Sequence, residues 1–281
     1  MQKRFSKYPA LLVLLLLLFV SCSEKEGSNT LKFSTDSDST MYYYDLGWKQ
    51  IMDLEDYSAA EVSYRKAMDF DPAFLVGMSV LARLTRDLEE RIAMEATLEA
   101  RKNEVLGDER LVLDTYISLV KYTNLRDQKS EQTAAARQEA MLIGEENLNV
   151  VVHNYPDEVY LKSEYIEVLH ALHGPQLALD SLNSLMIPSQ ESNPFMLGYK
   201  AIMLAELEKY DEALVIAKEL ALVMNDDQVA KPDAILADIY FKMKDYNTAK
   251  IHADKANSID PNNLDASRLK KKIDALVEEE N

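Results

Sequence analysis

Apolar residues recur three or four positions apart along most of the chain, the spacing of one face of an α-helix. The last such segment, residues 264–279, places Leu269 and Ile273 on one side and Lys271 on the other. Only 7 glycines and 8 prolines occur, which leaves little material for the turns of a strand-rich sandwich or barrel. The pattern therefore predicts an all-α protein of about thirteen helices, ending in a polar-backed helix over residues 264–279.

Three of these helical segments share one motif. A tyrosine is followed three positions later by alanine, with further small or apolar residues at helical spacing. The members are Tyr57/Ala60/Tyr64/Ala67, Tyr210/Ala213/Ala217/Leu220 and Tyr246/Ala249/Ala253/Ala256. Two segments end at Asp-Pro, which stops a helix because a residue before proline is forced out of the α region. The spacing is close to about 34 residues, the period of helix-pair repeats.

The motif resembles the tetratricopeptide repeat (TPR). The resemblance implies a right-handed superhelical solenoid of helix pairs over residues 41–281, closed by a capping helix at 264–279. Clear repeats are expected at about 41–72, 194–226 and 230–262, and degenerate repeats over 73–193. The degenerate part is expected to contain one imperfect repeat, whose motif positions are Leu81, Ala82, Ala93 and Ala100. A pair of longer helices is expected after it, over residues 108–124 and 132–154.

The first repeat departs from this motif. Trp48 lies where the family prefers a small residue, and the loop before Tyr57 is one residue longer than the consensus. We therefore expect a displaced first helix in this unit.

The N-terminal segment carries a different signal. Three basic residues precede a short apolar run that ends in Phe19-Val20-Ser21-Cys22, and Cys22 is the single cysteine of the chain. This resembles the signal peptide of bacterial lipoproteins, although the family usually has leucine at the position of Phe19. It implies a signal peptide over 1–21, a lipid-modified Cys22 and a flexible polar tether over 22–40. The alternative is an ordinary signal peptide with an accidental cysteine.

Location follows from the same resemblance. It implies a membrane-anchored lipoprotein, in the outer membrane, facing the periplasm or the cell surface. The formal net charge of -17 disfavours nucleic acid and anionic lipid surfaces, so the lipid rather than a basic patch would hold the protein at the membrane.

Catalysis has no support in the sequence. No phosphate-binding, nucleophile or metalloprotease motif occurs. His170 and His173 share a helix face with Glu167, a spacing that can hold a metal, but both histidines precede Gly174 at a helix end, which the helix dipole explains. We predict no enzyme, no catalytic residue, no metal and no cofactor.

The resemblance instead places a partner site on the concave face, which the first helix of each pair lines. The candidate groove residues are Tyr42, Lys49, Arg83, Tyr160, Phe195 and Phe241. Family members that clamp two carboxylates need lysine and asparagine where this chain has Asp45 and Lys49, so that function is not expected. We predict a scaffold that binds a protein segment; the alternative is a solute- or glycan-binding lipoprotein that uses the same aromatic residues.

Overall fold

The computed structural model describes residues 29–279, which hold thirteen α-helices and no strand. The all-α prediction is confirmed. The signal peptide and Cys22 lie outside the described residues. The helices are α1 (Asp38–Trp48), α2 (Tyr57–Phe70), α3 (Leu75–Leu84), α4 (Leu88–Arg101), α5 (Gly107–Asp127), α6 (Thr133–Asn154), α7 (Val159–His173), α8 (Pro175–Leu185), α9 (Pro194–Glu206), α10 (Tyr210–Met224), α11 (Lys231–Lys242), α12 (Tyr246–Ile259) and α13 (Leu264–Glu279).

Consecutive helices form six pairs, from α1 with α2 to α11 with α12. The first helices of neighbouring pairs are also in contact: α3 packs against α5, and α9 packs against α11. The thirteenth helix packs on α12 and α11. This arrangement is the predicted solenoid of helix pairs with a terminal helix.

The turn between the two helices has the same backbone conformation in each of the three pairs that carry the motif. Glu55, Glu208 and Lys244 occupy the equivalent position, and each adopts a left-handed conformation with φ between 57° and 64°. The next residue precedes the helix that opens with the motif tyrosine. In two of the three turns that residue is an aspartate whose side chain caps the helix.

The first pair accommodates one extra residue in this turn. In the later pairs the backbone N–H that follows the left-handed residue donates a hydrogen bond to the carbonyl five residues earlier, from Lys209 to Leu204 and from Asp245 to Tyr240. In the first pair the Asp56 N–H donates to the carbonyl six residues earlier, that of Gln50. A π-helix, Lys49–Leu54, absorbs the insertion by widening the end of α1. The extra residue that was expected is present, but it lies inside the helix and not in a longer loop, since only Glu55 and Asp56 separate Leu54 from Tyr57.

Inside the degenerate region, the longer pair α5 and α6 lies where the pattern placed it. The register expected in α4 is wrong. Ala93 and Ala100 are exposed, whereas Leu98 and Arg91 are buried. The buried arginine explains the error. It donates to Asn124 Oδ1 at 2.6 Å and to the Thr85 carbonyl at 2.9 Å, and with Arg91 facing inward Ala93 and Ala100 face solvent.

Residues 29–37 also differ from the expected tether. They form an extended segment, here called the N-terminal strap, that crosses the ends of several helix pairs. The Leu31 N–H donates to Glu158 Oε1 at 2.8 Å, and the Thr35 hydroxyl donates to Asp71 at 2.6 Å. The Phe33 ring lies edge-on to Tyr44 at 5.3 Å. A flexible tether extending to residue 40 is therefore wrong, since the strap is packed and α1 begins at Asp38.

Candidate functional site

The inner face of the solenoid is where a partner segment was expected, and here the two ends of the solenoid meet. Lys231, at the start of α11, is only 4% exposed. Its ammonium group donates to the Met52 carbonyl at 2.7 Å and contacts Glu55 Oε1 at 3.1 Å. Asn263 donates to the carbonyl of the same Glu55 at 3.1 Å. The last unit is thus bound to the π-helical end of the first.

A second set of contacts joins the same two units. Asp260, of the last Asp-Pro motif, accepts the Tyr57 backbone N–H at 3.0 Å and the Ser58 hydroxyl at 2.8 Å. Asn262 also donates to Ser58 at 2.8 Å. We call these two sets the closure contacts. The expectation of an open concave groove along all the first helices is therefore wrong, because the first and last units contact each other.

Aromatic side chains of the first unit fill much of the interior. Tyr64 stands where the later motifs have Ala217 and Ala253, and it is fully buried. Its ring lies against Gly47, where a Cβ atom would come within 2.7 Å of it. Glycine is needed at that position because any larger residue would collide with the tyrosine ring.

Trp48 extends this cluster across the interior. Its ring stacks on Tyr160 of α7 at 6.1 Å and lies 6.1 Å from Tyr116 of α5. Tyr160 in turn donates to Asp53 at 3.0 Å, and Asp53 also accepts from Asn193 at 3.0 Å. The first unit therefore packs against several other units, not only its sequence neighbour.

A cavity of about 270 Å³ remains between the first, second, fourth, fifth and sixth pairs. Its walls are mostly apolar and aromatic, and it is partly open to solvent. The wall residues are Trp48, Ile51, Met52, Glu55, Tyr57, Tyr64, Val80, Arg83, Leu84, Glu164, Glu167, Phe195, Tyr199, Ile202, Lys231 and Ile235. We call this the inner cavity.

The charged groups on its walls are paired. Arg83 holds Glu164 through two hydrogen bonds of 2.8 and 3.0 Å, and its guanidinium lies 4.8 Å from the centre of the Tyr116 ring. Lys231 pairs with Glu55 and lies 5.5 Å from the centre of the Phe195 ring. Such paired and ring-shielded cations fix the shape of the wall more than they attract an anion.

Two tyrosines in or near the cavity wall have fully buried hydroxyl groups. The hydroxyl groups of Tyr64 and Tyr116 have no hydrogen-bond partner among the residues that the structure describes. Burial raises the pKa of both hydroxyls well above the usual value, so they stay protonated. An unpaired buried hydroxyl costs free energy, and Tyr64 lies in the cavity wall.

A second, acidic cavity of about 230 Å³ lies beneath the strap, on the other side of Trp48. Asp45, Glu158 and Tyr160 are among its walls. Burial raises the pKa of Asp45 to about 6 and that of Glu158 to about 7. Glu158 already accepts the strap backbone, so this cavity belongs to the contact between the strap and the solenoid.

The structure brings together only two of the six groove residues that the sequence proposed. Arg83 and Phe195 both line the inner cavity, and Tyr160 lies behind Trp48 in the acidic cavity. Phe195 is 5% exposed, so the expectation that it would be an exposed groove ring is wrong. Its ring stacks on Tyr199 at 5.2 Å and belongs to the core as well as to the cavity wall.

The other three candidates lie apart from the cavity walls. Tyr42 is 63% exposed and forms a surface cluster with Tyr43, which stacks on Phe70. Lys49 is exposed on the π-helix. Phe241 is half-buried against Tyr246 at 5.7 Å. The inner cavity instead depends on Trp48, Tyr64 and Lys231, and the signal for Tyr64 was a large ring at a motif position that holds alanine in the other repeats.

His170 and His173, whose spacing in the sequence can hold a metal, contact different partners. His170 contacts the Tyr199 hydroxyl at 2.7 Å and Glu206 at 2.6 Å, whereas His173 contacts Glu145 at 2.6 Å. Over residues 29–279, no group of three or more potential ligands is arranged to hold a metal. Each histidine instead links neighbouring helices through a carboxylate.

A family model supports the repeat assignment in the last helix pair. Residues 234–263, which span most of α11, all of α12 and the Asp-Pro turn, match the model of the tetratricopeptide repeat. A solved structure described as the APC/C hetero-tetramer Cut9-Hcn1 is similar at a TM-score of 0.41 and 17% identity. The alignment covers 83% of this chain and 42% of that chain. No curated protein matches the sequence.

In the part of the chain that the structure describes, no helix is both long and apolar enough to cross a membrane.

Proposed function

We propose that this protein is a non-catalytic scaffold that binds a protein partner at the inner cavity. The observation that carries the proposal is the cavity itself, a partly open, mainly apolar recess in the wall that repeat proteins of this type use for binding. Its charged groups are already paired within the protein, as structural groups would be. The partner therefore approaches one recess rather than lying along a continuous groove.

We further propose that the scaffold acts at the bacterial envelope, anchored through lipid on Cys22. The support is in the sequence: a basic start, a short apolar run and the single cysteine of the chain. Cys22→Ala should abolish incorporation of a labelled fatty acid such as palmitate. Equal labelling of the wild type and the variant would contradict the anchor.

The alternative of a solute- or glycan-binding protein requires several exposed rings on one surface. Phe195 is buried and Tyr160 is bonded to Asp53, so neither offers a free face beside Tyr42. The rings proposed for stacking therefore do not form a common platform, and the scaffold function is favoured.

Site-specific photocrosslinking in the native envelope tests the partner site. A photoreactive residue at Leu84, in the cavity wall, should give a discrete adduct with one partner protein. The same residue at Ile251, which is 68% exposed on α12, is the matched control and should not give that adduct. An identical adduct pattern from both positions, or none from Leu84, would contradict binding at the cavity.

A further inference from the structure

The inner cavity has features that define the chemistry of its occupant. Its two cations are satisfied within the wall: Arg83 by Glu164, and Lys231 by Glu55. Glu167 is a further carboxylate that acts on Arg83. An anionic occupant would meet an excess of carboxylates and would lose its hydration without gaining a free counter-charge. The wall therefore favours an uncharged group.

The rings in the wall favour an aromatic occupant. Trp48, Phe195 and Tyr199 all line the cavity, and aromatic pairs gain free energy beyond the area that they bury. Together with the paired charges, these rings favour an uncharged aromatic ring.

Size restricts the occupant to one such ring. An apolar cavity of about 150 Å³ is enough to hold benzene. Pockets for larger ligands begin at about 300 Å³. At about 270 Å³ the inner cavity suits one substituted ring, the size of a single side chain. In many interfaces a few residues, often aromatic and seated in desolvated pockets, carry most of the binding free energy.

We propose that the inner cavity binds one uncharged aromatic side chain from the partner protein. This inference rests on the proposed scaffold function and specifies what the partner must present. The ring enters the cavity and lies against Tyr199 and Ile202, wall residues that are only partly buried, while the partner backbone stays outside at the opening.

Trp48 provides the readout, because it is the single tryptophan of the chain and lies in the cavity wall. The full-length protein is titrated with p-cresol and, separately, with N-acetyl-L-tyrosinamide, with excitation at wavelengths where only tryptophan absorbs. Both probes should change the Trp48 emission saturably, with Kd values of about 0.1–10 mM, and they should compete. Absence of saturable binding would overturn the proposal.

Variants establish where the probes bind. Ile202→Phe fills the cavity and should weaken the binding of both probes by about tenfold or more. Ile251→Phe makes the same change on the exposed face of α12 and should bind like the wild type. Ile51→Phe, in the π-helical wall, is a second filling variant should Ile202→Phe not fold, as judged by its thermal melt. Unchanged binding in a folded filling variant would overturn the cavity as the site.

Two further outcomes separate this inference from the proposed function. Binding of p-cresol without N-acetyl-L-tyrosinamide would mean that the cavity takes a free small molecule, which overturns a partner side chain as its occupant. A Leu84 adduct without probe binding would overturn the aromatic anchor and leave the scaffold function standing. Probe binding with no Leu84 adduct would overturn the scaffold function, and with it the partner as the source of the ring.

Discussion

The first and last helix pairs carry the same motif but use it differently. In the last pair Ala249, Ala253 and Ala256 are fully buried between α11, α12 and α13, and small residues let these helices approach closely. In the first pair the position of Ala253 is taken by Tyr64, with Gly47 making room for its ring. One exchange of alanine for tyrosine thus changes a pair that packs on its neighbours into one that helps to fill the interior.

The two Asp-Pro turns show the same contrast. Asp71 accepts a hydrogen bond from Thr35 of the strap, close to its own unit. Asp260 accepts from Tyr57 and Ser58 at the opposite end of the chain. A motif that ends a helix in both places has gained a second role in each, holding the strap in one and closing the solenoid in the other.

Truncating the ring that distinguishes the first pair should have the largest effect. Tyr64→Ala should lower the free energy of unfolding by about 3–5 kcal/mol, because it removes a fully buried ring and leaves a cavity. Val62→Ala, an exposed position on the same helix, should cost less than about 0.5 kcal/mol. Urea denaturation of both variants measures the difference, and a similar small loss in both would show that Tyr64 does not hold the interior together.

Breaking the closure contacts should lower the free energy of unfolding nearly as much as Tyr64→Ala does. Lys231→Ala leaves Glu55 without its buried counter-charge and should lower the free energy of unfolding by about 3 kcal/mol. Lys255→Ala removes an exposed lysine that pairs with Asp233 and should cost at most about 1 kcal/mol. The same denaturation experiment compares the two lysines, and equal losses would contradict a buried closure.

Substitutions of Gly47 and Tyr64 should be coupled in their effects on the free energy of unfolding. Gly47→Ala places a Cβ atom against the tyrosine ring and should cost about 1–3 kcal/mol. In a Tyr64→Ala background the ring is gone, so the cost of Gly47→Ala should largely disappear. A double-mutant cycle measures this coupling, and additive losses would refute the close contact between these two residues.

The strap should give the smallest effect, through pH. Burial raises the folded-state pKa of Glu158 from 4.5 to about 7, so the folded protein binds a proton more tightly than the unfolded chain. The contribution of Glu158 to stability is then greatest below about pH 4.5 and falls by about 1–2 kcal/mol as pH rises to 7.

Glu158→Gln isolates that contribution. It keeps an acceptor oxygen for the Leu31 N–H but cannot ionise, so the fall in stability between pH 5 and 7 should be reduced. Glu90→Gln is a suitable control, because Arg65 holds the Glu90 pKa at about 2, below this pH range. An unchanged pH profile in Glu158→Gln would exclude the strap carboxyl as its origin.

The sequence predicted the helices better than the contacts between them. The motif and the helical period located the pairs and the final helix, because both signals lie within a few turns of one another. The strap was not predicted, because Leu31 and Phe33 are isolated apolar residues in a Ser- and Thr-rich segment. In α4 the buried Arg91 broke the apolar pattern on which the register depends.

The site was the least predictable part. Lys231 and Glu55, or Asp260 and Tyr57, are separated by most of the chain, and no local pattern indicates that they meet. Arg83 and Phe195 were found because family register places them on the inner face. The cavity that joins them depends on curvature, which the repeat motif does not encode residue by residue.

An engineered disulfide tests whether the solenoid is closed in solution. Ser58 and Asn262 are in side-chain contact at 2.8 Å, and Cys22→Ser removes the single native cysteine. In that background, Ser58→Cys with Asn262→Cys should form an intramolecular crosslink rapidly on mild oxidation of the folded protein. Ser58→Cys with Ser181→Cys, on α8, is the control pair and should not. Crosslinking of neither pair in protein that retains its helical circular dichroism would contradict closure and restore the open groove.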